Sequence, residues 1–228
     1  MKKKILVFSL GGSLIVPNTV DYNYLHTFKS FIHKLKKNYH IVLVTGGGKT
    51  ARNYIQALQK EHTSEIFFSL VGIMSTKLNA RLVAGFFNLK ENIPDTLKDV
   101  KKQLDKQGLV VCGALGCQPE MTSDGDAAQI AEYLHASLFV NLTNVDGLYD
   151  KNPHKYENAQ LIPALDHTSF MHLVMKIKYE AGQHFVLDQA AAKIIAKAKI
   201  PTLILHGNKV KQLFNYLAGK RFIGTIIS

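Results

Sequence analysis

Two apolar runs rich in β-branched residues each stop at a cluster of glycines, and this pairing constrains the fold more than any other feature of the chain. Residues 5–10 lead into Gly11, Gly12 and Ser13, and residues 41–45 lead into Gly46, Gly47, Gly48 and Lys49. A near-continuous apolar run of this length suits a strand buried on both faces, as in a parallel sheet. Consecutive glycines at its end let the backbone turn sharply and leave N–H groups unshielded, which is the geometry that holds phosphate. Two such turns predict two phosphoryl groups, one on a donor and one on an acceptor.

Elsewhere the chain alternates between short apolar runs and helical periodicity. Ala51, Tyr54, Ile55 and Leu58 fall at i, i+3, i+4 and i+7. The spacing recurs at Ala127, Ile130, Ala131 and Leu134, at Ala191, Ile194, Ile195 and Ala198, and at Val210, Leu213, Phe214 and Leu217. Runs at 109–112, 138–142 and 202–205 suit buried strands between those helices. The alternation predicts an α/β fold, a three-layer αβα sandwich around a central, mainly parallel sheet. A charged helical excursion is expected over 90–107, and no repeat or linker divides the 228 residues, so one continuous domain is predicted.

Composition removes several function classes. At 46% hydrophobic the chain can bury a full core. No apolar run approaches the roughly 18 residues needed to span a bilayer, and the start lacks a signal-peptide cleavage site, so a cytoplasmic protein is predicted. Cys112 and Cys117 have neither disulfide-framework nor metal-ligand spacing. His33, His135 and His172 fall in helical segments without a second ligand at useful spacing, and no protein-built metal site is predicted. The net charge of +11 admits an anionic small molecule or a nucleic acid as partner. Lysines dispersed over 29–37, 90–106 and 193–199, with no basic run interleaved by stacking aromatics, favour the small anion. Phe67, Phe68, Phe86 and Phe87 read as core or subunit interface.

Better-known phosphate motifs fit poorly. Gly48, Lys49 and Thr50 resemble the end of a P-loop, but Leu43 stands where that motif requires glycine. Gly46, Gly48 and Ala51 satisfy a dinucleotide-binding pattern with Glu65 near the distance of a ribose acid. Glu65 precedes the next apolar run instead of following it, and this reading leaves Gly11 to Ser13 without a role. A third region adds to the nucleotide reading: Gln118, Thr122, Ser123 and Asp124 lie just before a helix expected to begin near Gly125. Hydroxyls, an amide and open helix N–H groups converge there. Asp124 is either the cap of that helix or the holder of a lysine or Mg²⁺ during phosphoryl transfer. The polar turn Thr143, Asn144, Val145, Asp146, Gly147, Leu148 and Tyr149 follows the run 138–142, at the edge where open α/β sheets bind ligands.

In order along nearly the whole chain, Leu10 to Ser13, Thr45 to Arg52, Gly72 to Asn79, Gly116 to Pro119, Ser123-Asp124, Thr143 to Tyr149 and Asp188 to Ala191 resemble the amino-acid kinase superfamily. Within it they look most like the archaeal-type uridylate kinases. The resemblance implies a single amino-acid kinase-like domain over 1–228, its N-terminal part binding the acceptor and its C-terminal part ATP. It further implies transfer of the ATP γ-phosphoryl group to UMP with Mg²⁺, in pyrimidine nucleotide biosynthesis. A homo-oligomer, commonly a hexamer, is implied too, with UTP as feedback inhibitor. Carried over, Ser9, Leu10, Gly11, Gly12, Ser13, Gly48 and Arg52 surround the ATP phosphates, and Thr143, Asn144, Tyr149 and Asn152 belong to the ATP site beyond them. Gly47, Ser69 and the loop Cys117, Gln118, Pro119, Glu120, Met121, Thr122 and Ser123 hold UMP, and Asp124 organises the catalytic charges.

The chain also departs from the pattern. Many relatives carry lysine where this chain has Ser9, and bacterial relatives carry a second near Phe185; Lys49 is the replacement candidate. Ser69 stands where archaeal-type members have an aspartate for the acceptor ribose, and Asn152 replaces a nucleotide-contacting aspartate. Three other functions remain open: a kinase of this fold with another small acid or phosphate as acceptor, a nucleotide-binding protein without catalysis, and a basic nucleic-acid-binding module.

Overall fold

Side-chain alternation along the first strand decides the architecture. In β1 (Lys4–Leu10), Leu6, Phe8 and Leu10 enter one hydrophobic core and Val7 enters another on the opposite face, so both faces of the strand are dry. This computed structural model describes residues 3–90, 92–118, 121–176 and 186–228. After β1 come a single turn, α1 (Gly12–Ile15), and the amphipathic α2 (Tyr22–Lys36). β2 (Tyr39–Thr45) is followed by α3 (Gly48–Lys60), α4 (Glu65–Phe86) and α5 (Leu97–Gln107). β3 (Leu109–Cys112) leads to α6 (Ser123–Tyr133), and β4 (Leu138–Thr143) to the small pair β5 (Leu148–Tyr149) and β6 (Leu161–Ile162). β7 (Ala164–Leu165), α7 (His167–Lys176), α8 (Gln189–Ala198), β8 (Thr202–His206), α9 (Lys211–Leu217) and β9 (Thr225–Ile227) complete the order.

The seven-stranded sheet runs β3-β2-β1-β4-β8-β9-β7, parallel throughout except where β8 meets β9. β1 is central, with Leu10 opposite Thr45 of β2 on one side and Leu142 of β4 on the other. The chain moves outward from β1 to β3 and then restarts on the other side at β4. That reversal opens a crevice at the carboxyl ends of β1 and β4, where open α/β sheets place ligands.

Three local expectations change. Of the charged segment expected to be helical over 90–107, residues 92–96 are not and the helix begins at Leu97: Thr96 caps it by accepting from the Asp99 N–H at 3.1 Å, and Pro94 disfavours helix in the residue before it. The helix expected near Gly125 starts at Ser123, because the Thr122 hydroxyl accepts from the Gly125 N–H at 3.2 Å. Asp124 therefore lies inside the first turn and is not its cap. The third change concerns α4, whose 22 residues include an 18-residue window of mean hydropathy 1.3, long and apolar enough to cross a membrane by length and composition. Lys77 and Arg81 interrupt its apolar run in the sequence. In the fold Ile73, Ala80, Val83 and Ala84 bury one side of it, while Thr76, Lys77 and Asn79 bond to neighbouring loops.

Candidate functional site

The two glycine turns touch each other through their backbones. The Gly46 N–H donates to the Leu10 carbonyl at 3.0 Å, and the Lys49 N–H donates to the Val16 carbonyl at 3.0 Å. A Cβ on Gly12 would collide with the backbones of Gly46 and Gly48, so only glycine permits this approach. Gly48 itself takes φ +64°, the left-handed conformation that opens α3. No side chain caps α3; of its first N–H groups that of Lys49 is taken by the Val16 carbonyl, and the Lys49 side chain is half-buried at this end of the helix. Among the described residues the Lys49 ammonium has neither a hydrogen bond nor an ion pair.

The start of α6 closes on these turns. Ser9 is 1% exposed and its hydroxyl donates to the Asp124 carboxylate at 2.5 Å. The Ser123 hydroxyl lies 3.4 Å from where a Cβ of Gly46 would be. From the other side Asp188 caps α8, accepting from the Ala191 N–H at 2.9 Å, and also accepts from the Thr122 hydroxyl. Buried Asn141 of β4 donates to the Val186 carbonyl at 2.5 Å and so fixes the segment that presents Asp188. Burial pushes the Asp124 carboxyl up to about 7; the Ser9 hydroxyl opposes the shift, and the nearby Asp188 carboxylate adds to it. Among the described residues no salt bridge reaches either carboxylate. Asp124 thus sits at the end of β1 beside the glycine turns, with Asp188 as the carboxylate acting on it.

On the β2–β3 side, the Asn79 amide donates to the carbonyls of Gly46 at 2.7 Å and Gly47 at 3.2 Å. The Thr45 hydroxyl joins the carbonyls of Thr76 and Cys112. Half-buried Ser69 lies one turn before Gly72, whose carbonyl is 3.6 Å from the Cβ position of Gly47. Cys117 is exposed, the Met121 N–H donates to the Gln118 carbonyl at 3.0 Å, and the Met121 thioether folds over Gly125. Pro119 and Glu120 lie outside the described residues. On the β1–β4 side are Gly11, whose N–H donates to the Leu142 carbonyl at 3.2 Å, then Ser13, Thr143, Asn144 and half-buried Tyr149, while Arg52 is exposed on α3. The Lys209–Asp146 ion pair at 2.7 Å ties that polar turn to the segment after β8. The side chain of Asn152 is committed locally, accepting from the His154 N–H at 2.9 Å.

Sequence reasoning gave no role to Asn79, Asn141 or Asp188. An amide inside an apolar helix or strand is the available signal for the first two, since a buried amide demands partners. For Asp188 the signal is an N-cap residue directly before Gln189 and three alanines.

Residues 4–206 match the model of the amino acid kinase family. The chain belongs to that family. It is 34% identical over 223 residues to the uridylate kinase of Thermococcus sibiricus, covering 97% of this chain and 98% of that protein. It is 35% identical over 227 residues to the uridylate kinase of Thermococcus kodakarensis, with the same coverage of 97% and 98%. The crystal structure of uridylate kinase from Archaeoglobus fulgidus superposes with a TM-score of 0.85 at 30% identity, over 99% of this chain and 100% of that one. This member of the amino acid kinase family fills the first expected lysine position with Ser9, whose hydroxyl is spent on Asp124. The second, Phe185, lies outside the described residues.

Proposed function

We propose that this chain transfers the γ-phosphoryl group of ATP to UMP. A phosphate oxygen of UMP attacks the γ-phosphorus, the bond to the β–γ bridging oxygen breaks, and ADP and UDP leave. The observation that carries the reading is the backbone contact between the two glycine turns, with Asp124 beside it. Such an arrangement can hold two phosphates side by side, and phosphoryl transfer asks for little else than in-line placement and positive charge. Near full-length similarity to uridylate kinases supports UMP as the acceptor.

In this reading ATP lies along the β1–β4 crevice over Ser9 to Ser13, Gly48 and Arg52, with Thr143, Asn144, Tyr149 and Asn152 around the nucleoside. UMP lies on the β2–β3 side against Gly47, Ser69 and the loop from Cys117 to Ser123. Lys49 supplies charge at the transferring group. Among the described residues no cluster of three or more His, Cys, Asp or Glu could cage a metal. The unneutralised pair Asp124 and Asp188 fits Mg²⁺, which is commonly held by one or two carboxylates together with substrate phosphates. When bound there the ion supplies neutralising charge to the phosphates.

The same reading takes the chain as one domain working in the cytoplasm, with its N-terminal part serving the acceptor and its C-terminal part ATP. UTP, which joins the acceptor's uridine to a donor-like triphosphate, is the inhibitor this site suits. An outward stripe of Phe67, Leu70, Met74 and Leu78 on α4 supports a homo-oligomer, a hexamer by resemblance.

The test is ADP release from Mg-ATP with UMP, CMP, AMP, GMP and dUMP each offered as acceptor. Turnover is expected with UMP alone and is expected to be lost in Asp124→Asn. Lys49→Ala is expected to lower kcat by more than about tenfold with little change in ATP affinity. Silence with every nucleotide despite measurable ATP binding would overturn the reading.

A further inference from the structure

The acceptor loop is held at its root by side chains that come from outside the site. The Leu115 N–H donates to the Asp126 carboxylate at 3.2 Å, and the Gly116 N–H donates to Asp95 at 3.2 Å. The Gly116 carbonyl accepts from the Lys77 ammonium at 3.0 Å, and Lys77 pairs with Asp95 at 2.6 Å. Just upstream, the Ala114 N–H donates to the Thr76 hydroxyl at 2.9 Å. Gly116 has φ +60° with open space where a Cβ would be, so its own side of the backbone offers no steric restraint. Its direction is therefore set by these bonds, and glycine loses more freedom on being fixed than any other residue.

Asp126 sharpens the picture. It is 1% exposed, one carboxylate oxygen holds Leu115, and the other has no hydrogen-bond partner among the described residues. Leaving a buried oxygen unpaired is costly, and a charge is tolerated there only with compensation nearby. Burial opposes the charge of Asp126, and the Leu115 N–H and then the positive charge of Lys77 favour it. Lys77 also belongs to the stretch of α4 whose Asn79 holds the carbonyls of Gly46 and Gly47. One helix thus contributes restraints to the loops that follow both β2 and β3.

The geometry points to Lys77, with Asp95 and Asp126, as a clamp that positions the acceptor loop from behind: these residues set affinity for the acceptor without touching the reacting atoms. The inference rests on the reading that the loop from Cys117 to Ser123 binds UMP. The clamp discriminates between the substrates because its bonds end on Leu115 and Gly116, which lead into the acceptor loop, and among the described residues none reaches the turn at Gly11 to Ser13.

The test uses Lys77→Met, Lys77→Arg and Asp95→Asn in the full chain. Lys77→Met is expected to raise KM for UMP about tenfold or more while KM for ATP and kcat stay within about threefold, the signature of lost ground-state binding. Lys77→Arg should restore KM for UMP, and Asp95→Asn, at an exposed position, should reproduce part of the loss. Equal changes in both KM values, or an unchanged KM for UMP in soluble Asp95→Asn, would overturn the clamp. Amide hydrogen exchange without nucleotide separates its failure from that of the UMP reading. Leu115 and Gly116, whose N–H groups the clamp holds, should exchange about tenfold faster in Lys77→Met while β3 stays protected. Unchanged exchange would overturn the clamp whatever the acceptor proves to be.

Discussion

Asp124 concentrates the chemistry of the site in one titration. Its carboxyl is raised from 3.8 to about 7, chiefly by burial, with Ser9 opposing and Asp188 reinforcing the shift. A carboxyl whose folded value lies above its unfolded one favours folding while protonated. That contribution is full below about pH 4, declines as pH rises through about 7, and is absent above it. Asp124→Asn is therefore expected to melt a few degrees higher than the parent at pH 8, with the gap closing as the pH falls toward 5. The charged form is the one that holds a cation, so kcat/KM of the free enzyme should rise with pH to a midpoint near 7. Ser9→Ala removes the bond that lowers the value and should move the midpoint to higher pH. Thermal melts of the three proteins and pH–rate profiles of the parent and Ser9→Ala check this, and a parent profile flat between pH 5.5 and 8 would refute it.

At the scale of elements, the glycine turns depend on a contact that tolerates no side chain. A Cβ on Gly12 would fall within 2.6 Å of the Gly46 carbonyl carbon and against the Gly48 nitrogen, and backbone cannot yield as a side-chain tip can. Gly12→Ala should destabilise by about 3 kcal/mol, lowering Tm on the order of 10 °C, and remove phosphotransfer activity. Gly85→Ala in α4, with nothing within 4 Å of the new methyl, is the control and should be neutral or slightly stabilising. These turns were legible because strand and turn are both written locally, in β-branched runs followed by glycines. The start of α6 was misplaced by two residues because Thr122, Ser123 and Asp124 are all good caps, and the choice among them is made by Asp188, distant in sequence. Asn79 escaped for a related reason: its partners, Gly46 and Gly47, are over 30 residues away. Local pattern shows that a buried amide must be satisfied, and only the fold shows by what.

For the molecule as a whole, the sheet order β3-β2-β1-β4-β8-β9-β7 explains why one crevice serves two ligands. β1 lies between β2 and β4, so the turn after it meets the turn after β2 on one side and the end of β4 on the other. α4 joins this crevice to the outer surface. Inward it holds the loops after β2 and β3; outward it presents Met74 at 64% and Leu78 at 58% exposure, in line with Phe67 and Leu70. An apolar stripe of this kind on an otherwise charged surface is most simply covered by a second copy of the same helix. Met74→Glu with Leu78→Glu places like charges at such a contact and should convert an oligomer to monomer in analytical ultracentrifugation at micromolar concentration. Because Thr76, Lys77 and Asn79 share that helix, loss of the neighbour should also loosen the acceptor side first, raising KM for UMP more than KM for ATP. A parent protein that sediments as a monomer would refute the contact. A dissociated variant with both KM values unchanged would show that α4 holds the acceptor loops without help from its partner.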